Sequence, residues 1–112
     1  MDTHQASGIL SALANETRLG IFRTLVAKGG MPARDLADAV GLTPSNLSFH
    51  LKDMRFAGLV ASRRAGRRII YRANFDNLNA LLEFLAQDCC GGRPELCVRI
   101  VDPARPRTRK GA

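Results

Sequence analysis

Residues 43–58 read TPSNLSFHLKDMRFAG, and this stretch decides the fold. It begins with Thr43 and Pro44, an arrangement typical of a helix start, because a hydroxyl caps the first free N–H groups and proline suits the first helical position. Gly58 marks the expected end. Apolar side chains recur at helical spacing, at Leu47, Leu51 and Met54. The stretch therefore predicts a helix over residues 44–57 with one buried face.

The residues before this helix supply the first half of a helix-turn-helix. Since proline disrupts a helix interior, Pro32 predicts that a short helix starts at Ala33 or Arg34, and Gly41 ends it. Its inward side chains are expected to be Leu36, Ala37 and Val40. A helix, a short turn and a second, capped helix make up the helix-turn-helix motif.

Two further helices are predicted at the start of the chain. Residues 6–14 have apolar side chains at helical spacing, at Ile9, Leu10 and Leu13. Asn15 is a typical N-cap and opens a second helix, which Gly29 ends. The buried face of this second helix is expected to hold Leu19, Phe22, Leu25 and Val26.

After Gly58 the pattern changes from helix to strand. Residues 59–63 and 69–73 favour β-structure and flank Gly66, which predicts a hairpin with a glycine at its turn. A last helix is expected over residues 75–88, with an apolar stripe of Leu78, Leu81, Leu82 and Leu85, extended by Phe75 and Phe84. The predicted fold class is mainly α with a small β-hairpin: a winged helix-turn-helix of five helices plus a wing.

The chain is strongly basic, and its charge is concentrated in two blocks. It has 112 residues, enough for one domain, and a net charge of +7. Residues 52–72 hold seven arginine or lysine side chains against one aspartate, and residues 99–110 hold five against one. Arginine is well suited to phosphate because its planar fork of donors matches the phosphate oxygens. The first block therefore predicts contact with a nucleic-acid backbone.

The candidate DNA contacts lie on the exposed face of the 44–57 helix and on the hairpin. Hydroxyl and amide groups hydrogen-bond base edges, and an aromatic ring contacts a thymine methyl. Base contacts are expected from Ser45, Asn46, Ser48 and Phe49. Contacts to the phosphates, which carry no sequence information, are expected from Lys52, Arg55, Arg63, Arg64, Arg67 and Arg68. His50 flanks the buried face, and its partner is either a phosphate or its own helix.

Four motifs follow one another along the chain: LANETRL, SNLSFHLK, AGLV and RAGRRIIY, which begin at residues 13, 45, 57 and 64. The series resembles the ArsR (arsenic repressor) family of bacterial metalloregulators, from its L-x-x-x-x-R-L opening to its wing signature. The resemblance covers about residues 8–90. Phe49 departs from the pattern, which commonly has a polar residue at that position.

The resemblance implies a homodimer, built by the first and last helices, that binds double-stranded operator DNA and represses transcription when unliganded. We expect residues 1–100 to form the DNA-binding and dimerisation domain, and residues 101–112 to be a basic, disordered tail. The thiol site that many members carry at the start of the third helix is absent, because residues 31–36 contain no cysteine. Residues 76–88 contain no histidine, which argues against the zinc-sensing type.

The three cysteines of the chain lie within nine residues, at Cys89, Cys90 and Cys97. Gly91-Gly92 lets the backbone leave the helix between them, so that the thiols can converge. Three thiolates neutralise a trivalent ion, and sulfur ligands favour soft ions over magnesium or calcium. The cluster therefore predicts As(III) or Sb(III) as the inducer of the repressor. Buried cysteines without a ligand, or a redox switch through a Cys90–Cys97 disulfide, are the alternatives.

A thiol enzyme, such as an arsenate reductase or a phosphatase, is a further alternative. It would need an arginine closing a phosphate loop after the nucleophile, but Glu95, Leu96 and Pro103 stand at the sixth position after the three cysteines. No enzymatic activity and no catalytic cofactor are therefore expected. No apolar run approaches the roughly 18 residues of a membrane span, and the first residues are polar, so a cytoplasmic location without a membrane partner is expected.

Overall fold

The structure is a computed structural model that describes residues 1–89. Within this range it contains five helices and a small antiparallel sheet. The helices are α1 (Thr3–Leu13), α2 (Glu16–Lys28), α3 (Ala33–Val40), α4 (Pro44–Phe56) and α5 (Phe75–Cys89). The strands are β1 (Met31–Pro32), β2 (Val60–Ala65) and β3 (Arg68–Ala73), in the order β1-β3-β2. This architecture is the predicted winged helix-turn-helix, with β2 and β3 as the wing.

The helix boundaries follow from local capping interactions. Asn15 caps α2, its side-chain oxygen accepting a hydrogen bond from the N–H of Arg18 at 3.1 Å. Gly41 closes α3 in the left-handed conformation, with φ of 72°. Helix α1 starts earlier than predicted, at Thr3, because Asp2 and Gln5 form a reciprocal capping box that the apolar spacing did not indicate.

A single hydrophobic core joins all five helices to the sheet. Its largest fully buried side chains are Ile21, Leu25, Leu36, Leu47, Met54 and Leu59. The inward positions predicted for α3 and α4 are correct, although Val40 is only half-buried. In α5, Leu81 is buried, whereas Phe75 and Leu85 are exposed. The last helix therefore keeps part of its apolar stripe outside the core of one chain.

Two positions predicted to be buried in α2 are exposed. Leu19 and Val26 are 43% and 42% accessible, while Ile21, which the prediction left out, is fully buried. The inward face is centred on Ile21, Phe22 and Leu25, and at 100° per residue the other two side chains fall at its edges. The prediction took the right period but placed the centre of the face wrongly.

Strand β1 is the element that the sequence pattern did not predict. It is two residues long and pairs with β3, with Met31 opposite Tyr71 and Pro32 opposite Ile70. Proline is compatible with this position because β1 is an edge strand. The pairing attaches the middle of β3 to the start of α3, and therefore fixes the wing relative to the helix-turn-helix.

Candidate DNA-binding surface and inducer site

Helix α4 starts as its sequence predicts. Thr43 is the N-cap, with its hydroxyl accepting a hydrogen bond from the N–H of Asn46 at 3.2 Å, and Pro44 occupies the first turn. The N–H of Leu42 donates to the carbonyl of Ala37 at 3.0 Å, which closes the turn from α3. These local bonds set the angle between the two helices of the motif.

Helix α4 has one buried face and one exposed face. Leu47, Leu51 and Met54 are at most 2% accessible. The six predicted contacts other than His50 are all exposed: Ser45, Asn46, Ser48, Phe49, Lys52 and Arg55. Two large apolar residues are also exposed here: Phe49 is 63% accessible, and Phe56, seven positions later and therefore on the same side of the helix, is 95% accessible. The exposed face therefore combines hydrogen-bonding groups, two aromatic rings and two cations, which suits a DNA groove bordered by phosphates.

The wing carries five exposed arginines, four of which are predicted phosphate contacts, and its strand β2 lies against α4. Strands β2 and β3 pair up to Ala65 and Arg68, which leaves Gly66 and Arg67 as a two-residue turn. Gly66 has φ of 66°, a conformation that favours glycine there. The predicted phosphate contacts on the hairpin are all solvent-accessible: Arg63, Arg64, Arg67 and Arg68. A groove of about 590 Å³, lined by Ser48, Lys52 and Ser62 among others, lies between α4 and the sheet.

His50 bonds to a different helix from the one that the sequence suggested. Its Nδ1 accepts a hydrogen bond from Nε of Arg18 on α2 at 3.2 Å, so it is not held by its own helix. Nη2 of the same arginine donates to Oδ2 of Asp53 at 2.6 Å. Two residues of α4 are thus held by one side chain of α2. A phosphate contact by His50 stays a prediction.

Sequence analysis did not single out Arg18 as a functional residue, although a signal was present. It precedes Ile21, Phe22 and Leu25 by three, four and seven residues, which places it on the buried face of α2. A charged residue at such a position requires a partner. The partners themselves are 32 and 35 residues away and could not be read from a local pattern.

Asn77 of α5 holds the end of α4. Its Nδ2 donates to the carbonyl oxygen of Gly58 at 2.9 Å, just after α4 ends. Its own backbone N–H is held by the Asn74 side chain at 3.2 Å. A side-chain hydrogen bond therefore joins the start of α5 to the end of α4, a contact that sequence analysis also missed.

Comparison with known proteins places the chain in a family. A helix-turn-helix domain family matches residues 13–63. The HTH-type transcriptional regulator NmtR of Mycobacterium tuberculosis is 39% identical over 79 residues, which cover 70% of this chain and 65% of that protein, slightly under two thirds. The arsenical resistance operon repressor of Bacillus subtilis is 34% identical over 79 residues, which cover 70% of this chain and 73% of that protein.

A solved structure agrees with this placement. The homodimeric winged helix-turn-helix DNA-binding domain of a possible ArsR-family regulator from Mycobacterium bovis matches with a TM-score of 0.63 at 32% identity, covering 78% of this chain and 82% of that one. The chain belongs to the ArsR family of transcriptional regulators. Helix α4 is therefore the recognition helix of an ArsR-family DNA-binding domain.

The cysteine cluster of this ArsR-family chain lies at the boundary of the described residues. Cys89 is the last residue of α5, while Cys90, Cys97 and the basic tail predicted over 101–112 lie outside the described residues. Within residues 1–89, no group of three histidine, cysteine, aspartate or glutamate side chains could hold a metal ion. In the same part of the chain, each helix is too short or too polar to cross a lipid bilayer.

Proposed function

We propose that this ArsR-family chain is a homodimeric repressor that releases operator DNA when As(III) or Sb(III) binds Cys89, Cys90 and Cys97. The observation that carries the DNA-binding part is the exposed face of α4 next to the arginine-bearing wing. In this proposal Ser45, Asn46, Ser48 and Phe49 contact bases, and the cations of α4 and the wing contact phosphates. The repressor acts in the cytoplasm, where bacterial operators lie, and has no enzymatic activity.

The donor set supports a thiophilic inducer. Three thiolates give an uncharged complex with a trivalent ion, whereas zinc or cadmium would need a fourth ligand from elsewhere. The relative from Bacillus subtilis is named as an arsenical resistance repressor, which agrees with this choice. When bound, the ion would supply only cross-linking of the thiols, because no chemical change of a substrate is required.

Helix α5 provides a physical connection between the thiols and the DNA-binding face. It runs from Phe75 to Cys89, a length of roughly 20 Å at 1.5 Å per residue. Near its start Asn77 holds Gly58 at the end of α4, and its last residue is the first of the three cysteines. A shift of α5 on ligation would therefore change the position of α4, and with it the spacing of two recognition helices in a dimer.

Apolar side chains left exposed on α1 and α5 support dimerisation through these helices. Leu10 of α1 is 42% accessible, and Leu85 and Phe75 of α5 are 37% and 46% accessible. A chain of this size gains stability when such side chains are covered by a second copy. The homodimeric relative from Mycobacterium bovis has the same fold.

The test uses a DNA duplex selected from random sequence by the wild-type protein. We expect As(III) to lower the affinity of the wild type for this duplex, and to have no effect on a Cys89→Ser, Cys90→Ser, Cys97→Ser triple variant that binds DNA normally. Cd(II), which would need a fourth ligand, serves as the comparison ion in the same titration. Unchanged affinity of the wild type in As(III), or a full response of the triple variant, would contradict the proposal.

A disulfide-based response is separated by mass spectrometry after mild peroxide treatment. The proposed mechanism expects release by As(III) under reducing conditions, without any disulfide. If release requires peroxide and coincides with a Cys90–Cys97 disulfide, the arsenic-sensing assignment is wrong and the redox alternative holds.

A further inference from the structure

One arginine of α2 makes two side-chain hydrogen bonds to the recognition helix, in addition to the apolar contacts of the shared core. Asn15 caps the backbone N–H of Arg18, and the side chain of Arg18 bonds to both His50 and Asp53. The latter two residues are three positions apart on α4 and therefore lie on the same side of it. The recognition helix is thus held at two points by a residue that is itself anchored at the capped start of α2.

The bonding pattern requires the guanidinium geometry. Nε and Nη2 are two donors in one rigid plane, and here one meets a ring nitrogen and the other a carboxylate oxygen. A lysine ammonium could keep the ion pair with Asp53, but it would not hold both partners in a fixed relative orientation. Lysine at this position therefore preserves the charge but removes the two donors that share one rigid plane.

Stability is the smaller part of what this contact provides. The side chain of Arg18 is 18% accessible and that of Asp53 is 47% accessible, so water screens the ion pair. Ion pairs with such exposure contribute little to the free energy of unfolding. Orientation of the recognition helix is the larger consequence, because a tilt of this helix moves every side chain on its DNA-facing side.

The hydrogen bond to His50 also selects one form of its imidazole. Because Nδ1 is the acceptor, the neutral ring carries its proton on Nε2. The ring also packs edge-on against Phe49, with ring centroids 5.5 Å apart and an angle of 73° between the planes. Arg18 therefore determines which nitrogen of His50 donates and where the ring sits beside the exposed aromatic residue.

We infer that Arg18 is a positioning residue for DNA binding, which fixes the recognition helix on α2 and holds His50 as the Nε2–H tautomer, a donor for a DNA phosphate. This inference rests on the proposed contact of α4 with DNA. It goes beyond that proposal because it assigns a role in binding to a residue that does not touch the DNA.

The experiment compares Arg18→Lys with Arg23→Lys, a matched control at an exposed position of the same helix. The first readout is the tautomer of His50 in the free protein, measured by long-range ¹⁵N–¹H NMR at about pH 8, where an ordinary imidazole is neutral. The chain has two histidines, so a His4→Gln variant assigns the signals. We expect the Nε2–H form in wild type and control, and a tautomer mixture in Arg18→Lys.

The second readout is affinity for the selected duplex without any inducer. We expect Arg18→Lys to bind on the order of tenfold more weakly, the size of one charge-assisted hydrogen bond, with the control unchanged. In a His50→Gln background the additional effect of Arg18→Lys should be clearly smaller, because the two residues act together. Asp53→Asn tests the bond from Nη2 of Arg18, and we expect it to weaken DNA binding without changing the tautomer of His50.

An unchanged tautomer in Arg18→Lys, or an unchanged affinity, would overturn the inference. A loss of affinity that only parallels a loss of folding stability, with the tautomer retained, would show a purely structural role and overturn it as well. If the wild-type protein binds no DNA duplex at all, the proposed function is wrong. The NMR measurement would still report the tautomer of His50 in that case.

Discussion

Leu47 and Phe49 lie two positions apart on α4 and have opposite surroundings. Leu47 is 1% accessible and belongs to the core, whereas Phe49 is 63% accessible on the opposite side of the helix. Two helical positions differ by 200° in direction, which explains the contrast. One residue therefore supports the fold, and the other is available for DNA.

We expect Leu47→Ala and Phe49→Ala to separate folding from binding. Leu47→Ala should lower the free energy of unfolding by about 2–5 kcal/mol, because it leaves a cavity in a packed core. Phe49→Ala should change it by less than about 0.5 kcal/mol, as is usual at exposed positions, and yet weaken binding of the selected duplex. Urea unfolding and a DNA titration measure the two effects. If Phe49→Ala binds like the wild type, its assignment to the interface is wrong.

At the scale of elements, the junction between α4 and β2 depends on Gly58. The N–H of Leu59 donates to the carbonyl of Met54 at 2.9 Å, and the N–H of Gly58 donates to that of Arg55 at 3.0 Å. With φ of 84° at Gly58, these bonds form a Schellman motif, which ends the helix. The same residue accepts the hydrogen bond from Asn77, so the end of α4 and the start of α5 are fixed at one point.

Gly58→Ala should be more harmful than Gly41→Ala. Both glycines have positive φ, so either substitution costs about 1–2 kcal/mol from the left-handed backbone. A Cβ at Gly58 would also lie 2.5 Å from Nδ2 of Asn77, whereas nothing lies within 4 Å of one at Gly41. This amide is the end of a side chain that can turn away, but it then loses its hydrogen bond to the carbonyl of Gly58, so we expect about 0.5–1.5 kcal/mol of additional destabilisation at Gly58 in thermal or urea unfolding. In an Asn77→Ala background, the two glycine substitutions should lower the free energy of unfolding by the same amount. Equal losses in the presence of Asn77 would contradict the contact.

At the scale of the whole molecule, the DNA-binding face and the exposed apolar residues of α1 and α5 are separate surfaces connected by α5. Burial of the core leaves large apolar side chains uncovered on both terminal helices. A monomer with these side chains exposed is expected to associate, and a symmetric dimer would present two recognition helices to successive turns of DNA. Dimerisation and DNA binding are then linked through α5, which bonds to the end of α4.

Leu10→Glu and Leu19→Glu provide a matched test of this arrangement. The two leucines are 42% and 43% accessible, but Leu10 is on α1 and Leu19 is on α2. Sedimentation velocity should show a weakened dimer for Leu10→Glu alone, because a carboxylate would be buried in the interface. Binding to the duplex should fall in parallel. A dimer unaffected by Leu10→Glu, or disrupted by Leu19→Glu, would place the interface elsewhere.

The predictions from sequence succeeded where structure depends on neighbouring residues. The start of α4 at Thr43 and Pro44, the wing turn at Gly66 and the exposed set of side chains on α4 follow from capping, turn conformation and helical period. Each of these is a short-range interaction encoded within a few positions. The predictions were less accurate where an element depends on a distant partner, as β1 does on β3.

Sequence by itself therefore determined the winged helix-turn-helix, its recognition helix and its basic surface. Only the tertiary structure decided how that helix is held: Arg18 reaches His50 and Asp53 across more than thirty residues, and Asn77 reaches Gly58 across 19. These contacts form between side chains whose separation along the chain carries no periodic signal. They exist because the shared core brings the faces of α2, α4 and α5 together, which is a property of packing rather than of any local pattern.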